Sequence, residues 1–187
     1  MIDKIKGGID VDGVLRDFDG EVVKILKEHG VDAKSAVCWD DNIDKKIDGK
    51  SMGTLIWDEK IYLQRVFEHS DVYPQAKTGY YLFCDDPNID VYVVTDQKKD
   101  TEHHTYRWLK NKGFNQHTKT CIEKNKLKAC CHILIDDKPD NIKAYKNDGR
   151  IGMLMDRPHN KSFNTDIRVS NLVKAYSLIK SEFFIDL

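Results

Sequence analysis

The chain reads KGGIDVDGVL at residues 6–15, where a short apolar segment with strand-like sequence ends in two aspartates and a glycine. In parallel α/β sheets, ligands bind at the carboxyl ends of the strands. Asp10 and Asp12 are two residues apart, so on an extended chain their side chains point to the same face. Gly13 allows the backbone to turn sharply after them. The stretch therefore predicts two carboxylates that share one crevice.

Two carboxylates this close repel each other unless a cation or a proton lies between them. Mg²⁺ favours carboxylate and carbonyl oxygens together with water, so the pair predicts a magnesium site. The alternative is an ordinary strand that ends in an Asp-Gly turn and leaves Asp10 and Asp12 solvated. The metal interpretation requires further site residues at the ends of other strands.

The composition is typical of a soluble globular protein, since 40% of the 187 residues are apolar and 33% are charged. No apolar run approaches the ~20 residues that a membrane span requires, and the N-terminus lacks a signal-peptide core. We therefore expect a cytoplasmic protein. A net charge of −1 argues against a long nucleic acid as partner. The five cysteines lack the spacing of a zinc site and are interpreted as buried thiols.

Strand-like runs alternate with segments of helical periodicity, which is typical of an α/β fold with a parallel sheet and crossover helices. The predicted strands are Ile5–Ile9, Ile89–Thr95, Thr118–Ile122, His132–Ile135 and Arg150–Leu154. The predicted helices are Phe18–His29, Thr101–Lys112, Asp140–Asn147 and Asn171–Phe184. In the first helix, Val22, Ile25 and Leu26 share one apolar face. In the second, Tyr106 and Leu109 do so.

Residues 31–74 break this alternation and are too long for a plain crossover loop. They contain an amphipathic segment, Thr54–His69, whose apolar residues lie near helical spacing. We therefore predict a core domain made of residues 1–30 and 75–187. Residues 31–74 are predicted to form a small, mostly helical cap over the end of the sheet.

The string DVDGV at residues 10–14 resembles the first motif of the haloacid dehalogenase (HAD) superfamily of phosphatases. LRDF at residues 15–18 is similar to the 5'(3')-deoxyribonucleotidase branch of that superfamily. The resemblance implies a HAD-like Rossmannoid fold of three layers and Mg²⁺-dependent hydrolysis of a phosphomonoester. Asp10 would attack phosphorus and form an aspartyl-phosphate. Asp12 would protonate the leaving oxygen and later accept a proton from water.

The second motif of the superfamily is a strand that ends in Thr or Ser, whose hydroxyl and backbone amide hold the phosphate. Thr95 occupies that position at the end of VYVVT, residues 91–95. Alternatively, Thr95 caps the helix that follows. The nucleotidase branch usually continues with Ser and Pro, whereas this chain has Asp96 and Gln97. This departure bears on the substrate rather than on the phosphate role of Thr95.

The acidic fourth motif resembles HILIDDKPDN at residues 132–141. One of Asp136 and Asp137 would coordinate Mg²⁺, and the other would orient waters and a lysine. Asp137 is the expected direct ligand, alongside Asp10 and the backbone carbonyl of Asp12. The alternative is a solvated acidic turn.

The third motif is a lysine that neutralises the phosphate and the nucleophile. Lys124, Lys126 and Lys128 compete for this role, and each could instead be a solvated surface charge. In the nucleotidase branch the lysine lies about ten positions before the acidic pair, and Lys126 stands ten positions before Asp136. The spacing therefore favours Lys126 for binding phosphate together with Thr95.

Aromatic residues of the cap could stack a nucleobase or form the cap's own core. They are Trp39, Trp57, Tyr62, Phe67 and Tyr73. With the branch resemblance they favour a ribo- or deoxyribonucleoside monophosphate as substrate. The alternatives are another small phosphate ester, a polynucleotide 3'-phosphate, which the neutral charge disfavours, and a HAD-fold binding or regulatory protein without turnover. A homodimer is compatible with each of them.

Overall fold

The strands of the core form one parallel sheet. The computed structural model describes residues 4–34, 41–98, 100–114 and 119–183. The strands are β1 (Ile5–Ile9), β2 (Lys46–Ile47), β3 (Lys50–Ser51), β4 (Ile89–Thr95), β5 (Lys119–Ile122), β6 (Ile133–Asp136), β7 (Ile151–Met155) and β8 (Arg168–Val169). Six of them form a sheet in the order β5-β4-β1-β6-β7-β8, and β2 pairs with β3 in a separate antiparallel hairpin. The predicted parallel α/β sheet is confirmed, and β8 is a strand that the sequence analysis leaves out.

Helices flank this sheet. They are α1 (Phe18–Glu28), α2 (Met52–Asp58), α3 (Lys60–Gln64), α4 (Ala76–Asp85), α5 (Glu102–Lys112), α6 (Pro139–Asn147) and α7 (Leu172–Phe183). Ile9 and Val93 pack in a hydrophobic cluster with residues of α4, α5 and α7. The alternate strand residues Val94 and Leu134 pack with Tyr145 of α6. Burial of both faces is typical of a parallel sheet and gives the three layers. Among the described residues, no helix has the length and apolar character needed to cross a membrane.

The central strand β1 sets which residues meet at one edge of the sheet. Ile9 pairs with Val93 of β4 on one side and with Ile135 of β6 on the other. The strand order reverses between β1 and β6, because the chain continues outward through β4 and β5 on one side and β7 and β8 on the other. Ligands bind at such a reversal, outside the carboxyl ends of the strands. The fold therefore brings the residues that follow β1, β4 and β6 together.

For the strands and helices of the predicted core domain, predicted and observed ends agree to within one residue wherever both are described, with Thr118 and Phe184 outside the described residues. The predicted buried face of α5 is partly wrong. Leu109 is 2% exposed as expected, but Tyr106 is 48% exposed and Trp108 is fully buried. Polar residues share the buried face of α5, so the spacing of its apolar residues does not identify that face.

The sequence analysis leaves α4 unassigned. This helix contains Gly79, which lowers helix propensity by about 1 kcal/mol relative to alanine, and aromatic residues that favour strands. Gln75, just before the helix, has a left-handed φ of 63° and provides no side-chain cap. Packing against α7 and β4, rather than local propensity, therefore accounts for α4.

In the described part of the predicted cap, helices are the main regular elements, beside the short hairpin of β2 and β3. The predicted segment Thr54–His69 is broken into α2, α3 and a π-helical turn, Arg65–His69, because Glu59 has extended backbone angles between the two helices. The apolar face of α1 packs in the hydrophobic cluster of the cap, against residues such as Leu55 and Val66. The domain boundary at residue 30 remains a prediction, and this packing favours a cap that includes α1. Trp39 lies outside the described residues.

Gly79 permits the close contact between α4 and α7. A Cβ atom at this position would lie 2.3 Å from Cβ of Leu172 and 2.8 Å from the backbone nitrogen of Val173. We expect Gly79→Ala to lower the free energy of unfolding by about 1–3 kcal/mol through overpacking, even though alanine favours the helix. Thr78→Ala, at an exposed site on the same helix, is the control. Urea unfolding measures both variants, and a Gly79→Ala protein as stable as the wild type would contradict this packing.

Candidate active site

Asp10 follows β1 directly and is only 5% exposed. The backbone amide of Val11 donates a hydrogen bond of 2.7 Å to its Oδ1. Its Oδ2 lies 2.7 Å from Nζ of Lys126, and the same Nζ lies 2.7 Å from Oδ2 of Asp136. The buried ammonium group therefore bridges two carboxylates that follow or end neighbouring strands.

Of the three candidate lysines, the structure brings Lys126 into this cluster. Its side chain is buried, whereas Lys124 and Lys128 are exposed. Lys128 forms a surface ion pair of 3.4 Å with Glu123. Burial alone would lower the pKa of Lys126, but the adjacent Asp10 and Asp136 outweigh it and raise the pKa above its usual value. Lys126 is therefore held in its charged form.

Asp10, Asp136 and Asp137 each place a carboxylate oxygen within 4.8 Å of the others. Burial, reinforced by the charge of Asp136, raises the pKa of Asp10 well above its usual value. Burial likewise raises the pKa of Asp137. When all three carboxylates are ionised, the ammonium group of Lys126 does not balance them, and a divalent cation would offset the excess of negative charge. Oxygen ligands of this kind fit Mg²⁺.

Within this cluster, Asp136 and Asp137 have different surroundings. Asp136 accepts hydrogen bonds from Lys126, from the backbone amide of Lys138 at 2.8 Å and from Nδ2 of Asn141 at 2.9 Å. Asp137 lines the cavity, which Asp136 does not. Asp137 is therefore better placed than Asp136 to reach a metal ion in the cavity.

The carboxylate of Asp12 has partners of its own. Arg16 binds it through both oxygens, with Nε 2.7 Å from Oδ1 and Nη2 3.0 Å from Oδ2. Nε2 of Gln97 lies 3.3 Å from Oδ2 of Asp12 and 3.3 Å from Oγ1 of Thr95. Among the described residues, Oε1 of Gln97 is buried without a hydrogen-bond donor. Gln97, one of the residues that depart from the nucleotidase branch, thus contacts two predicted site residues.

A cavity of about 290 Å³ joins the predicted residues. Its lining includes Asp10, Asp12, Thr95, Lys126 and Asp137, together with Asp96, Lys124, Lys138 and Asn141. Thr95 ends β4 and is buried at the cavity wall. Asp136 lies behind the wall and contacts the cavity through Lys126. The cavity thus combines carboxylates, a hydroxyl group and ammonium groups at the predicted edge of the sheet.

Gly13 is required at this site by its backbone and by its neighbours. It has a φ of +75°, and a Cβ atom there would lie 1.8 Å from Oδ2 of Asp137. The absence of a side chain thus lets the loop after β1 approach the acidic residue that follows β6.

The loop after β7 contributes residues that sequence reasoning missed. Nε of Arg157 donates a hydrogen bond of 2.6 Å to the carbonyl of Gly13. Nε2 of His159 lies 3.1 Å from Oδ2 of Asp137, and Nδ2 of Asn160 donates to the backbone carbonyl of Asp137 at 2.7 Å. Burial opposes the charged form of His159, but Asp137 outweighs it and raises the pKa of His159. The signal was present in the sequence, because these residues follow the next parallel strand in the sheet.

The comparisons with known proteins agree with this arrangement. Residues 4–184 match the family described as 5' nucleotidase, deoxy (pyrimidine), cytosolic type C protein (NT5C). No curated protein matches the sequence significantly.

Solved structures of HAD hydrolases share the fold. The magnesium-bound HAD hydrolase YfnB of Bacillus subtilis has a TM-score of 0.62 and 13% identity, over 95% of this chain and 99% of that chain. A haloacid dehalogenase-like hydrolase of Streptococcus pneumoniae has a TM-score of 0.62 and 14% identity, over 96% and 100%. L-2-haloacid dehalogenase of Xanthobacter autotrophicus has a TM-score of 0.61 and 11% identity, over 96% and 99%. At these identities the similarity concerns the fold alone, and it confirms the predicted HAD-like fold.

Removal of the bridging ammonium group should be costly. We expect Lys126→Met to lower the free energy of unfolding by about 3–5 kcal/mol in EDTA, because it leaves buried carboxylates without their partner. Lys128→Met, which removes only an exposed ion pair, should cost less than about 1 kcal/mol. Urea unfolding compares the two variants. Equal effects would show that Lys126 does not hold the cluster together.

Mg²⁺ should stabilise the folded protein by binding the acidic cluster. We expect Mg²⁺ to raise the Tm of the wild type and Asp137→Asn to remove most of this rise. Without Mg²⁺, and at a pH high enough for His159 to be neutral, Asp137→Asn should be at least as stable as the wild type, since it removes one of three buried carboxylates that repel each other. Asp85→Asn, at an exposed carboxylate of α4, is the control. Thermal unfolding with and without Mg²⁺ tests this, and a full Mg²⁺ shift in Asp137→Asn would rule out Asp137 as a ligand.

Proposed function

Because the chain belongs to the NT5C family of 5'-nucleotidases and is thereby a hydrolase of the HAD superfamily, we propose that it removes phosphate from ribo- or deoxyribonucleoside monophosphates with Mg²⁺ as cofactor. The observation that carries the proposal is the arrangement of Asp10, which is held by Lys126 beside Asp137 and Thr95 in one cavity. The family is described as cytosolic, which supports the cytoplasmic location expected from the sequence.

Asp10 is proposed as the nucleophile. The amide of Val11 and the ammonium group of Lys126 fix one oxygen each, so the carboxylate has a defined orientation in the wall of the cavity. A fixed nucleophile meets phosphorus without the entropic cost of orienting it. An oxygen of Asp10 attacks phosphorus in line and forms an aspartyl-phosphate as the alcohol oxygen leaves.

The metal ligands are proposed to be Asp10, Asp137 and the backbone carbonyl of Asp12, with Asp136 acting on the cluster through Lys126. Bound Mg²⁺ supplies positive charge that offsets the repulsion between carboxylates and phosphate. Lys126 and the hydroxyl of Thr95 hold the phosphate oxygens, where preorganised donors stabilise the transferring group.

Asp12 is proposed as the general acid and base. It lines the same cavity as Asp10. Thr95 ends the neighbouring parallel strand β4, and Nε2 of Gln97 contacts the side chains of both Asp12 and Thr95. Asp12 protonates the leaving oxygen in the first step and accepts a proton from the attacking water in the second. The carboxylate of Asp12 is not one of the three that form the buried acidic cluster.

A second, smaller cavity of about 20 Å³ lies beside the proposed phosphate site. At that size it holds about one water molecule, so a nucleobase would enter it only after its walls move apart. The cavity adjoins Gly13 and Asp137 and is lined by Phe18, Ile43 and Tyr73. Aromatic rings beside a phosphate site favour a nucleobase, which stacks on them for about 1–3 kcal/mol per contact.

Of the aromatic residues of the cap, Phe67 is buried in its core, and the guanidinium group of Arg157 lies 3.8 Å from the centre of the Tyr73 ring. Trp57 is 37% exposed. Contact with the base is therefore proposed for Phe18 or Tyr73 in the smaller cavity, with Trp57 as the alternative.

Phosphate release from a panel of ribo- and deoxyribonucleoside monophosphates tests the proposal. We expect hydrolysis in Mg²⁺, none in EDTA, and a loss of roughly 10³-fold or more in Asp10→Asn because the nucleophile is removed. Asp12→Asn should reduce turnover strongly while it leaves phosphate binding largely intact. Asp85→Asn serves as the control. Normal turnover in Asp10→Asn would refute the scheme, and hydrolysis of an aryl phosphate but of no nucleotide would refute the substrate alone.

A further inference from the structure

Arg16 is a charged residue that the proposed chemistry does not use. Its side chain is 0% exposed, and a buried guanidinium group is costly unless it is paired. Its ion-pair partner is Asp12, which it binds through both carboxylate oxygens. A two-point contact fixes the rotation of a carboxylate as well as its position.

The outer side of the guanidinium group contacts two other parts of the fold. Nη1 donates a hydrogen bond of 2.8 Å to the backbone carbonyl of Phe67, in the π-helical turn of the cap. Nη1 and Nη2 each lie 3.3 Å from Oγ1 of Thr105 on α5 of the core. The rings of Phe67 and Trp108 lie 4.8 and 5.3 Å from the guanidinium carbon, at cation–π distance. Arg16 is therefore fixed by cap and core together.

We infer that Arg16 is a positioning residue for the reaction, which holds the carboxylate of Asp12 toward the leaving oxygen and links that orientation to the docking of the cap. The inference rests on the proposed function, in which Asp12 transfers the proton. Arg16 is not in the lining of the cavity, so it acts through Asp12 and not on the substrate. Proton transfer requires hydrogen-bond geometry, and a misplacement of about 1 Å can cost 10²-fold in rate.

Two substrates with different leaving groups distinguish a positioning role of Arg16 from a purely structural one. A nucleoside alkoxide needs a proton to leave, whereas 4-nitrophenolate leaves without one. The test compares first-turnover rates: nucleoside formation by rapid quench, and the burst of nitrophenolate from 4-nitrophenyl phosphate. These rates report the release of the leaving group in the first step. They exclude the later hydrolysis of the aspartyl-phosphate, which needs Asp12 whichever substrate was used. We expect Arg16→Met to slow nucleoside formation roughly 10²-fold and the nitrophenolate burst much less.

Three further variants sharpen this test. Arg16→Lys retains a charge beside Asp12 and should recover part of the lost rate on the nucleotide. Arg16→Met added to Asp12→Asn should cost little more than Asp12→Asn alone, because residues that act through one another are not additive. Arg107→Met removes an exposed ion pair of 3.1 Å between α5 and Glu68 of the cap, without contact to Asp12. It should leave the ratio of the two first-turnover rates unchanged.

The outcomes distinguish this inference from the proposed function. Mg²⁺-dependent turnover by the wild type, and its loss in Asp10→Asn, are measured first and test the function alone. Equal losses on both substrates in Arg16→Met, or a multiplicative loss in the double variant, would show that Arg16 is merely structural. If Arg16→Met does not fold, as judged by circular dichroism, Arg16→Lys and Thr105→Val decide the matter through the same ratio of rates. If the ratio of the first-turnover rates on the nucleotide and on 4-nitrophenyl phosphate is the same in both variants as in the wild type, the inference is overturned.

Discussion

The contact of Lys126 with Asp10 and Asp136 is the interaction on which the site depends. The parallel strands β1 and β6 bring carboxylates to the same edge of the sheet. Without a buried cation, the repulsion between these carboxylates would oppose the pairing of the two strands. The fold supplies that cation from the short 3-10 turn Lys126–Ala129 before β6. The hydroxyl of Tyr145 on α6 donates a hydrogen bond of 3.0 Å to the carbonyl of Lys126. Backbone and side chain of this lysine are therefore both anchored, one to α6 and the other to the acidic cluster.

The sequence predicts the parts of the site that follow directly from strand order. Asp10, Thr95 and Asp136 each end or follow an apolar run, and parallel pairing brings such positions together regardless of the details of packing. All three lysines occupy a polar segment, and only the resemblance to the nucleotidase branch, whose lysine lies about ten positions before the acidic pair, distinguishes Lys126 from its neighbours. Arg16 shows the limit of this reasoning: it contacts Phe67, 51 positions away, and Thr105, 89 positions away. No local pattern encodes contacts that depend on how the cap sits on the core.

The position of the cap depends on α1 as much as on its own helices. Arg65 of the π-helical turn pairs with Glu21 at 2.7 Å and with Glu28 at 2.5 Å, both on α1. The apolar face of the same helix lies in the cap's hydrophobic cluster. Partly exposed ion pairs add little by themselves, so the shared apolar cluster is the stronger link. The loop between β1 and α1 thus connects the sheet to a helix that packs with the cap, and both catalytic candidates lie on this loop.

Asp10 and Asp12 lie on this loop only two residues apart, yet their environments differ. Asp10 shares a single lysine with Asp136 and lies beside Asp137, so its surroundings carry an excess of negative charge that a metal ion would balance. Asp12 has a guanidinium group bound to both of its oxygens. Pairs of carboxylates whose environments differ in this way are suited to different roles in one reaction. Because Gly13 turns the chain directly after Asp12, Arg16 can fold back onto it within four residues. One strand end can therefore provide both a nucleophile in the acidic cluster and a separately held proton carrier.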